Sequence, residues 1–294
     1  MLKGRLVRYL HHGIEFLGVL VEDGAQGGRY GLGANLIAPL DTTNDMMEFI
    51  INFERLGGIK PGAPQVSLDE VKLLAPIKSP LQDPICLGLN YLDHAKESMR
   101  FKGEKDSKLE NPVYFSKRVG VFSDPNSVFS KGRFTSQLDY EVELVVIIGR
   151  DCRFVSHSEA MDYVFGYSIG NDLSARDIQL KHKQWYAGKS LEGSFPLGPC
   201  IVLRDSLDAH NLIIKSFVNG ELRQHSSTAN LIFDIPTVIS ELSGYFTLRA
   251  GTVISMGTPS GVGMGFVPPR FLEVGDVVSC EIEGIGILDT RIES

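Results

Sequence analysis

Cysteine is scarce in this chain, and the little there is does not cluster. Cys86, Cys152, Cys200 and Cys280 are spread through 294 residues, mostly in apolar, strand-like stretches. That spacing speaks against a disulfide framework or a zinc site and for reduced core residues of a cytosolic protein. Long apolar runs are missing too: none approaches the roughly 18 residues of a membrane span. Met1-Leu-Lys-Gly-Arg5 leads straight into strand-like sequence, without a signal-peptide apolar region. Basic clusters are absent, and 29 Lys and Arg against 36 Asp and Glu give a net charge of −7. An extended nucleic-acid footprint is therefore excluded, although a metal and a few placed cations can still draw in an anionic substrate. Internal repeats, low-complexity tracts and heptads are lacking as well. The expectation is a cytoplasmic protein with neither a nucleic-acid partner nor a membrane partner.

What is present is a succession of short apolar strands set off by Gly, Pro, Asn and Asp. Two strands are expected within residues 5–21 around a turn at His12-Gly13. Others are expected near 85–89, 112–116, 141–148, 163–169, 199–204, 212–218, 252–256 and 277–282. Helices are expected at 91–99, 158–162 and 231–243. From Thr42 to Leu56, Met46, Met47, Phe49, Ile50 and Phe53 fall at helical spacing, with Thr42, Thr43 or Asn44 as N-cap. The Pro-punctuated stretch Ala75–Pro84 is the best boundary, giving a small N-terminal domain over 1–75 and a larger one over 84–294. Many strands with few helical crossovers imply an α+β, β-rich fold, rolled or sandwiched and largely antiparallel, rather than a doubly wound one. Glu97 to Glu110 is highly charged and without apolar period, which marks it as a candidate lid.

The chemistry begins in the run Leu138-Asp-Tyr-Glu-Val-Glu-Leu-Val-Val-Ile-Ile-Gly149. Strand alternation puts Glu141 and Glu143 on one face. Two carboxylates beside a buried strand repel and lose hydration, a cost of several kcal/mol unless a cation joins them. Asp172 closes a second apolar run, Tyr163 to Asp172. Three hard oxygen ligands suit Mg²⁺ or Mn²⁺ rather than zinc. The same pattern also fits an amphipathic strand whose glutamates face water. His94 and Glu97, three apart, would meet on a helical turn, where a carboxylate fixes an imidazole tautomer and raises its basicity; a surface histidine near a helix start fits equally. Lys189, in Gln184-Trp-Tyr-Ala-Gly-Lys-Ser190, is either a solvated lysine or a cation for a carboxylate or enolate. Arg176 and Gln179 would share a helical face toward a ligand, or Arg176 would pair with Asp172 or Asp177. Thr258, in a Gly-Thr-Pro turn, offers a hydroxyl and backbone N–H groups, or is simply a tight turn.

Three familiar patterns fail on inspection. Gly188-Lys189-Ser190 lacks the earlier glycine of a phosphate-binding loop, since position 183 is Lys. The glycines at 257, 261, 263 and 265 do not fit G-x-G-x-x-G. Gly166-Tyr-Ser-Ile-Gly170 matches a serine-hydrolase elbow, but Ser168 lies inside an apolar run where a core strand is the better reading.

Taken in order, Gly88-Leu-Asn-Tyr-Leu-Asp-His-Ala-Lys-Glu97, the Glu141/Glu143 run, Asn171-Asp-Leu-Ser-Ala-Arg-Asp177, the Gly188-Lys-Ser190 stretch, Pro196-Leu-Gly-Pro199, Val218-Asn-Gly-Glu221, Gly257-Thr-Pro-Ser-Gly-Val262 and Glu273-Val-Gly-Asp276 form a set. From about Pro84 to the C-terminus this set resembles the fumarylacetoacetate hydrolase family. It is most similar to the shorter members that act as acylpyruvases, oxaloacetate decarboxylases and 2-oxo-acid hydratases or isomerases. The resemblance implies a mixed β-sandwich roll with a small N-terminal α/β domain, and a homodimer. It implies Glu141, Glu143 and Asp172 as ligands to one Mg²⁺ or Mn²⁺; the fourth acidic ligand of longer members has no clear counterpart. It further implies a His94–Glu97 dyad, Lys189 as an active-site lysine, and Arg176, Gln179 and Thr258 as groups near substrate or metal.

The function expected is a metal-dependent hydrolase that cleaves a C–C bond in a 2,4-dioxo acid through a stabilised enolate, with His94–Glu97 activating water. An oxaloacetate decarboxylase, or a hydratase or tautomerase of related 2-oxo acids, is the alternative. A non-enzymatic metal-binding protein fits less well, because a binding module needs no positioned base. Substrate choice is expected to rest on the 97–110 segment and on side chains near Tyr114, Tyr186 and Met264.

Overall fold

The computed structural model describes residues 4–22, 29–62, 66–103 and 109–294. The chain opens with β1 (Arg5–His11) and β2 (Ile14–Glu22), joined by the turn at His12-Gly13, and continues through β3 (Ala34–Pro39), β4 (Val66–Ser67) and β5 (Lys72–Leu74). The larger part brings β6 (Ile85–Gly88), β7 (Val113–Ser116), β8 (Ser127–Ser130), β9 (Leu138–Asp139), β10 (Val142–Ile148), β11 (Val164–Asn171) and β12 (Ser174–Ala175). It ends with β13 (Leu197–Leu203), β14 (Ile213–Val218), β15 (Glu221–Ser227), β16 (Val253–Ser255), β17 (Val277–Ile282) and β18 (Gly286–Glu293). β3, β4, β5, β8, β12, β15 and β18 are not among the expected strands: β4, β5 and β12 are only two or three residues long, and polar residues dilute the apolar signal in β8, β15 and β18.

Among the described residues, an 11-stranded sheet runs in the order β4-β3-β2-β1-β13-β11-β10-β16-β6-β7, with β5 paired to β1. A five-stranded sheet, β15-β14-β17-β18-β8, packs against its centre, where β10, β11 and β13 contact β14, β17 and β18. Nearly all pairings are antiparallel; β16–β6 and β18–β8 are parallel. This is the β-rich sandwich roll expected. The large sheet crosses the Ala75–Pro84 stretch, because β1 pairs with β13 through Arg5↔Val202 and Leu6↔Ile201.

The two faces of β10 explain the layering. Val142, Leu144, Val146 and Ile148 enter the main core, whereas Val145 and Ile147 join a second cluster with Met46, Met47, Phe49 and Ile50. Those four residues belong to α1 (Met46–Ile51), which is followed by α2 (Phe53–Leu56). The expected single helix over Thr42–Leu56 is thus interrupted at Asn52, whose φ of −102° and ψ of 10° leave the helical region. Its N-cap is Asp45, not Thr42, Thr43 or Asn44, because the Asp45 carboxylate reaches the N–H groups of Met47 and Glu48 at 2.7 and 3.0 Å.

Further helices are α3 (Leu92–Lys102), α4 (Arg176–Lys181), α5 (Tyr186–Lys189) and α6 (Ile235–Tyr245). The helix expected at 158–162 is a 3₁₀ turn over Ala160–Tyr163. α6 begins four residues later than expected because Asp234 caps it and Pro236 fills its first turn. The 97–110 segment proves partly regular: α3 continues to Lys102 and is closed by Gly103 with φ 71°. Residues 104–108 of that candidate lid lie outside the described residues. All four cysteines are free and buried, and no helix among the described residues is long and apolar enough to cross a membrane.

Candidate active site

The site forms where β10 begins and β11 ends. Antiparallel pairing sets Val142 opposite Asn171 and Glu143 opposite Gly170, so the residue after β11, Asp172, falls beside the residue before β10, Glu141. The Asp172 N–H donates to the Glu141 carbonyl at 2.9 Å, and the Glu141 N–H to Asn171 Oδ1 at 3.2 Å. Carboxylate oxygens of Glu141, Glu143 and Asp172 all lie within 4.8 Å of one another, and all three residues are buried. The alternative of glutamates facing water does not hold.

Three cations answer this charge. Lys189 Nζ sits 2.6 Å from Glu141 Oε2 and 2.7 Å from Asp172 Oδ2. Lys117 Nζ donates to Asp172 Oδ1 at 2.6 Å and to the Leu173 carbonyl at 2.8 Å. Arg176 pairs through Nε with Asp139 Oδ2 at 2.9 Å, and its Nη2 lies 2.6 Å from Glu141 Oε1, an ion pair without an aligned hydrogen bond. Arg176 therefore serves Asp139 and Glu141, not Asp172 or Asp177. Asp177 instead accepts from Thr135 Oγ1 and the Ser136 N–H. Glu143 accepts from Ser255 Oγ and the Gly257 N–H.

The carboxylates are pushed in opposite directions. Burial raises Glu141, but Lys189 and Arg176 outweigh it and hold its carboxyl below the usual range. Burial, then Asp172 and Glu141, drive Glu143 well above that range. Burial lowers Lys189, yet Asp172 and Glu141 more than restore it, so its ammonium is favoured. Lys117 is lowered by burial despite Asp172. Three oxygen donors converging within 4.8 Å, one of them charge-strained, fit a hard divalent cation.

The dyad approaches from α3. His94 Nδ1 lies 3.1 Å from Glu97 Oε2, and the two residues are 4% and 7% exposed. His94 is thus no surface histidine. Glu97 is held from behind by the Gly261 N–H, 3.0 Å from Oε1, and Gly265 packs directly on its carboxyl group. Asn90 anchors the start of α3 by donating to the Met256 and Phe233 carbonyls at 2.8 and 3.0 Å.

His94, Glu141, Glu143, Arg176, Gln179, Lys189 and Thr258 line one pocket of about 410 Å³, counting space open to solvent. Gln179 accepts from Arg176 Nη1 at 3.0 Å. The Thr258 hydroxyl donates to the Val142 carbonyl at 2.9 Å and accepts from Gln224 Nε2 at 2.7 Å, so its hydrogen is already engaged. Of the side chains expected to read substrate, Met264 lines the pocket; Tyr114 and Tyr186 do not, and their neighbours Phe115 and Trp185 do. Along β7 the alternation turns Tyr114 away, its hydroxyl donating to Glu241 at 2.8 Å. Ser168 is buried in β11, where its hydroxyl donates to the Cys200 carbonyl at 2.8 Å.

Sequence reasoning overlooks Lys117, Asp139 and Gln224. The alternation that pairs Glu141 with Glu143 also carries Asp139, so that signal is present. Lys117 sits in a polar Ser-Lys-Arg triplet that gives no hint of burial.

Residues 84–293 match the model of the fumarylacetoacetate hydrolase C-terminal domain. The chain belongs to the fumarylacetoacetate hydrolase family. It is 46% identical over 233 residues to the oxaloacetate tautomerase YisK of Bacillus subtilis (strain 168), spanning 79% of this chain and 76% of that protein. To the mitochondrial oxaloacetate tautomerase Fahd2a of Rattus norvegicus it is 35% identical over 295 residues, 98% of this chain and 91% of the relative. A solved fumarylacetoacetate hydrolase from psychrophilic Exiguobacterium antarcticum superposes with a TM-score of 0.83 at 36% identity, covering 99% of each chain.

Proposed function

We propose that this chain is a divalent-metal-dependent enzyme that moves small 2-oxo acids between keto and enol forms, with oxaloacetate as substrate. The observation that carries the reading is the convergence of Glu141, Glu143, Lys189 and His94 on one pocket, with Asp172 completing the carboxylate cluster behind its wall and Glu97 holding His94. A bound Mg²⁺ or Mn²⁺, held by the three carboxylates, would polarise the keto oxygen and favour the enolate. His94 has Nδ1 committed to Glu97, which leaves Nε2 as the nitrogen that takes the proton from C3. The C–H electron pair moves into the C2–C3 double bond, negative charge gathers on the keto oxygen, and the same proton returns to that oxygen to give the enol. Lys189, kept as an ammonium among carboxylates, stabilises that developing charge. The relatives' names, oxaloacetate tautomerase, agree with this chemistry.

A second reading, hydrolytic C–C cleavage of acylpyruvate-type 2,4-dioxo acids, is favoured by the apolar lining that Leu87, Phe115 and Met264 give the pocket, which suits an acyl chain. There His94 Nε2 would take a proton from water instead. In both readings the site residues come from 84–294, and the chain works in the cytoplasm as a homodimer.

Rapid mixing of oxaloacetate with enzyme and Mg²⁺ or Mn²⁺, followed by enol absorbance, tests the proposal. The wild type should accelerate equilibration over buffer and metal alone, and His94→Ala should lose about 10²–10⁴ of that rate. No acceleration, alongside pyruvate release from acetylpyruvate, would replace the first reading with the second.

A further inference from the structure

The stripe that α3 turns toward the pocket does not stop at His94. Ser98 and Lys102 follow at four-residue steps, and all three line the same cavity. Such residues lie one above another, about 6 Å apart along the axis. Ser98 is 3% exposed, and its hydroxyl has no hydrogen-bond partner among the described residues. Lys102 ends the row with Nζ 5.4 Å from the Trp185 ring centroid. Trp185 in turn meets Phe115 edge-on, with centroids 5.4 Å apart.

The pocket's cations are not equivalent. Arg176 and Lys189 are tied to Asp139, Glu141 and Asp172. Lys102 pairs with no carboxylate among the described residues, so an incoming anion would meet it without breaking an ion pair within that set. An ammonium held over an aromatic face is already oriented and partly desolvated. Between it and the carboxylate cluster stand two aromatic rings: Phe115, whose centroid is 5.2 Å from Lys189 Nζ, and Trp185, which meets Phe115 on one side and Lys102 on the other. A pocket with hard oxygen ligands at one end, an apolar middle and a cation at the other fits a molecule charged at both ends.

We infer that Lys102 binds the distal carboxylate of the substrate, with Ser98 donating a hydrogen bond along the way. The site thereby selects 2-oxo acids that carry a second carboxylate beyond an apolar spacer over monocarboxylic acids of equal length. The inference rests on the proposed anchoring of the 2-oxo acid end at the Glu141–Glu143–Asp172 cluster, and it names the residue that reads the other end.

Calorimetric binding to Mn²⁺-loaded protein tests it without turnover, using 2-oxoadipate, its six-carbon monocarboxylic counterpart 2-oxohexanoate, and oxalate. The wild type should bind 2-oxoadipate about tenfold or more tighter than 2-oxohexanoate, the scale of one charged hydrogen bond. Lys102→Gln should bring the two within about threefold, Lys102→Arg should keep most of the preference, and oxalate should bind all three proteins alike. Equal affinities in the wild type, or a Lys102→Gln loss as large for 2-oxohexanoate as for 2-oxoadipate, overturns the inference. So does failure of oxalate to bind the loaded wild type. If the preference stands but oxaloacetate is not equilibrated, the tautomerase reading fails and this one survives.

Discussion

At the scale of single residues, Glu143 is the most informative. Its neighbours hold Glu141 ionised, yet Glu143 is pushed toward the protonated form by burial, Asp172 and Glu141. To ligate a cation it must release its proton, so protons and metal compete there. The apparent affinity for Mn²⁺ should therefore weaken as pH falls below the raised Glu143 pKa and strengthen above it, measured by titration calorimetry across pH. Glu143→Ala should abolish metal binding and activity together; stoichiometric Mn²⁺ in that variant would sink the ligand assignment. Much of this cluster is legible in the sequence alone, because strand alternation and the end of an apolar run are local patterns. Lys117 is not. Its burial is decided by Asp172 and the Leu173 carbonyl, 55 and 56 residues away in sequence, and nothing beside it foretells that. Arg176 shows the same limit: its helical spacing to Gln179 is legible, but its partner Asp139 lies 37 residues upstream.

At the scale of elements, the dyad depends on a close approach. α3 meets the 3₁₀ turn Gly263–Gly265 so tightly that a Cβ on Gly265 would stand 1.7 Å from Glu97 Oε1 and 2.5 Å from its Cγ. Glu97 is already tied to His94 and the Gly261 N–H. Gly265→Ala should therefore force the carboxylate off His94 and cut the rate by about tenfold or more, short of the full loss of a general base. Circular dichroism and metal affinity should stay near wild type. If activity were unchanged, the Glu97 contact would be irrelevant to the chemistry. Helix spacing makes His94 and Glu97 partners in the sequence; the turn that presses on them comes from the far end of the chain, and only packing reveals it.

At the scale of the whole molecule, the strands before residue 75 are built into the same sheet as the site. Their expected separateness comes from composition and prolines, which report where the chain bends but not which edges pair. β13 lies between β1 and β11, with Leu197, Cys200, Ile201, Val202 and Leu203 buried. Removing residues 1–75 would turn this apolar strand into an open edge, a template for aggregation. A chain of residues 76–294 should accordingly aggregate, and light scattering would show it. A well-dispersed, active fragment would establish instead that residues 76–294 stand alone. The counter-charges built into the site carry a consequence for the molecule's history. Three carboxylates, from Asp139, Glu141 and Asp172, are met by Lys117, Arg176 and Lys189, and the fourth, Glu143, is pushed toward its uncharged form, so the charges nearly balance. A newly made chain thus carries its own temporary occupants for the place where an ion belongs, and it can finish folding before any ion arrives. Loading becomes a late and reversible event in the life of the molecule, separate from its birth.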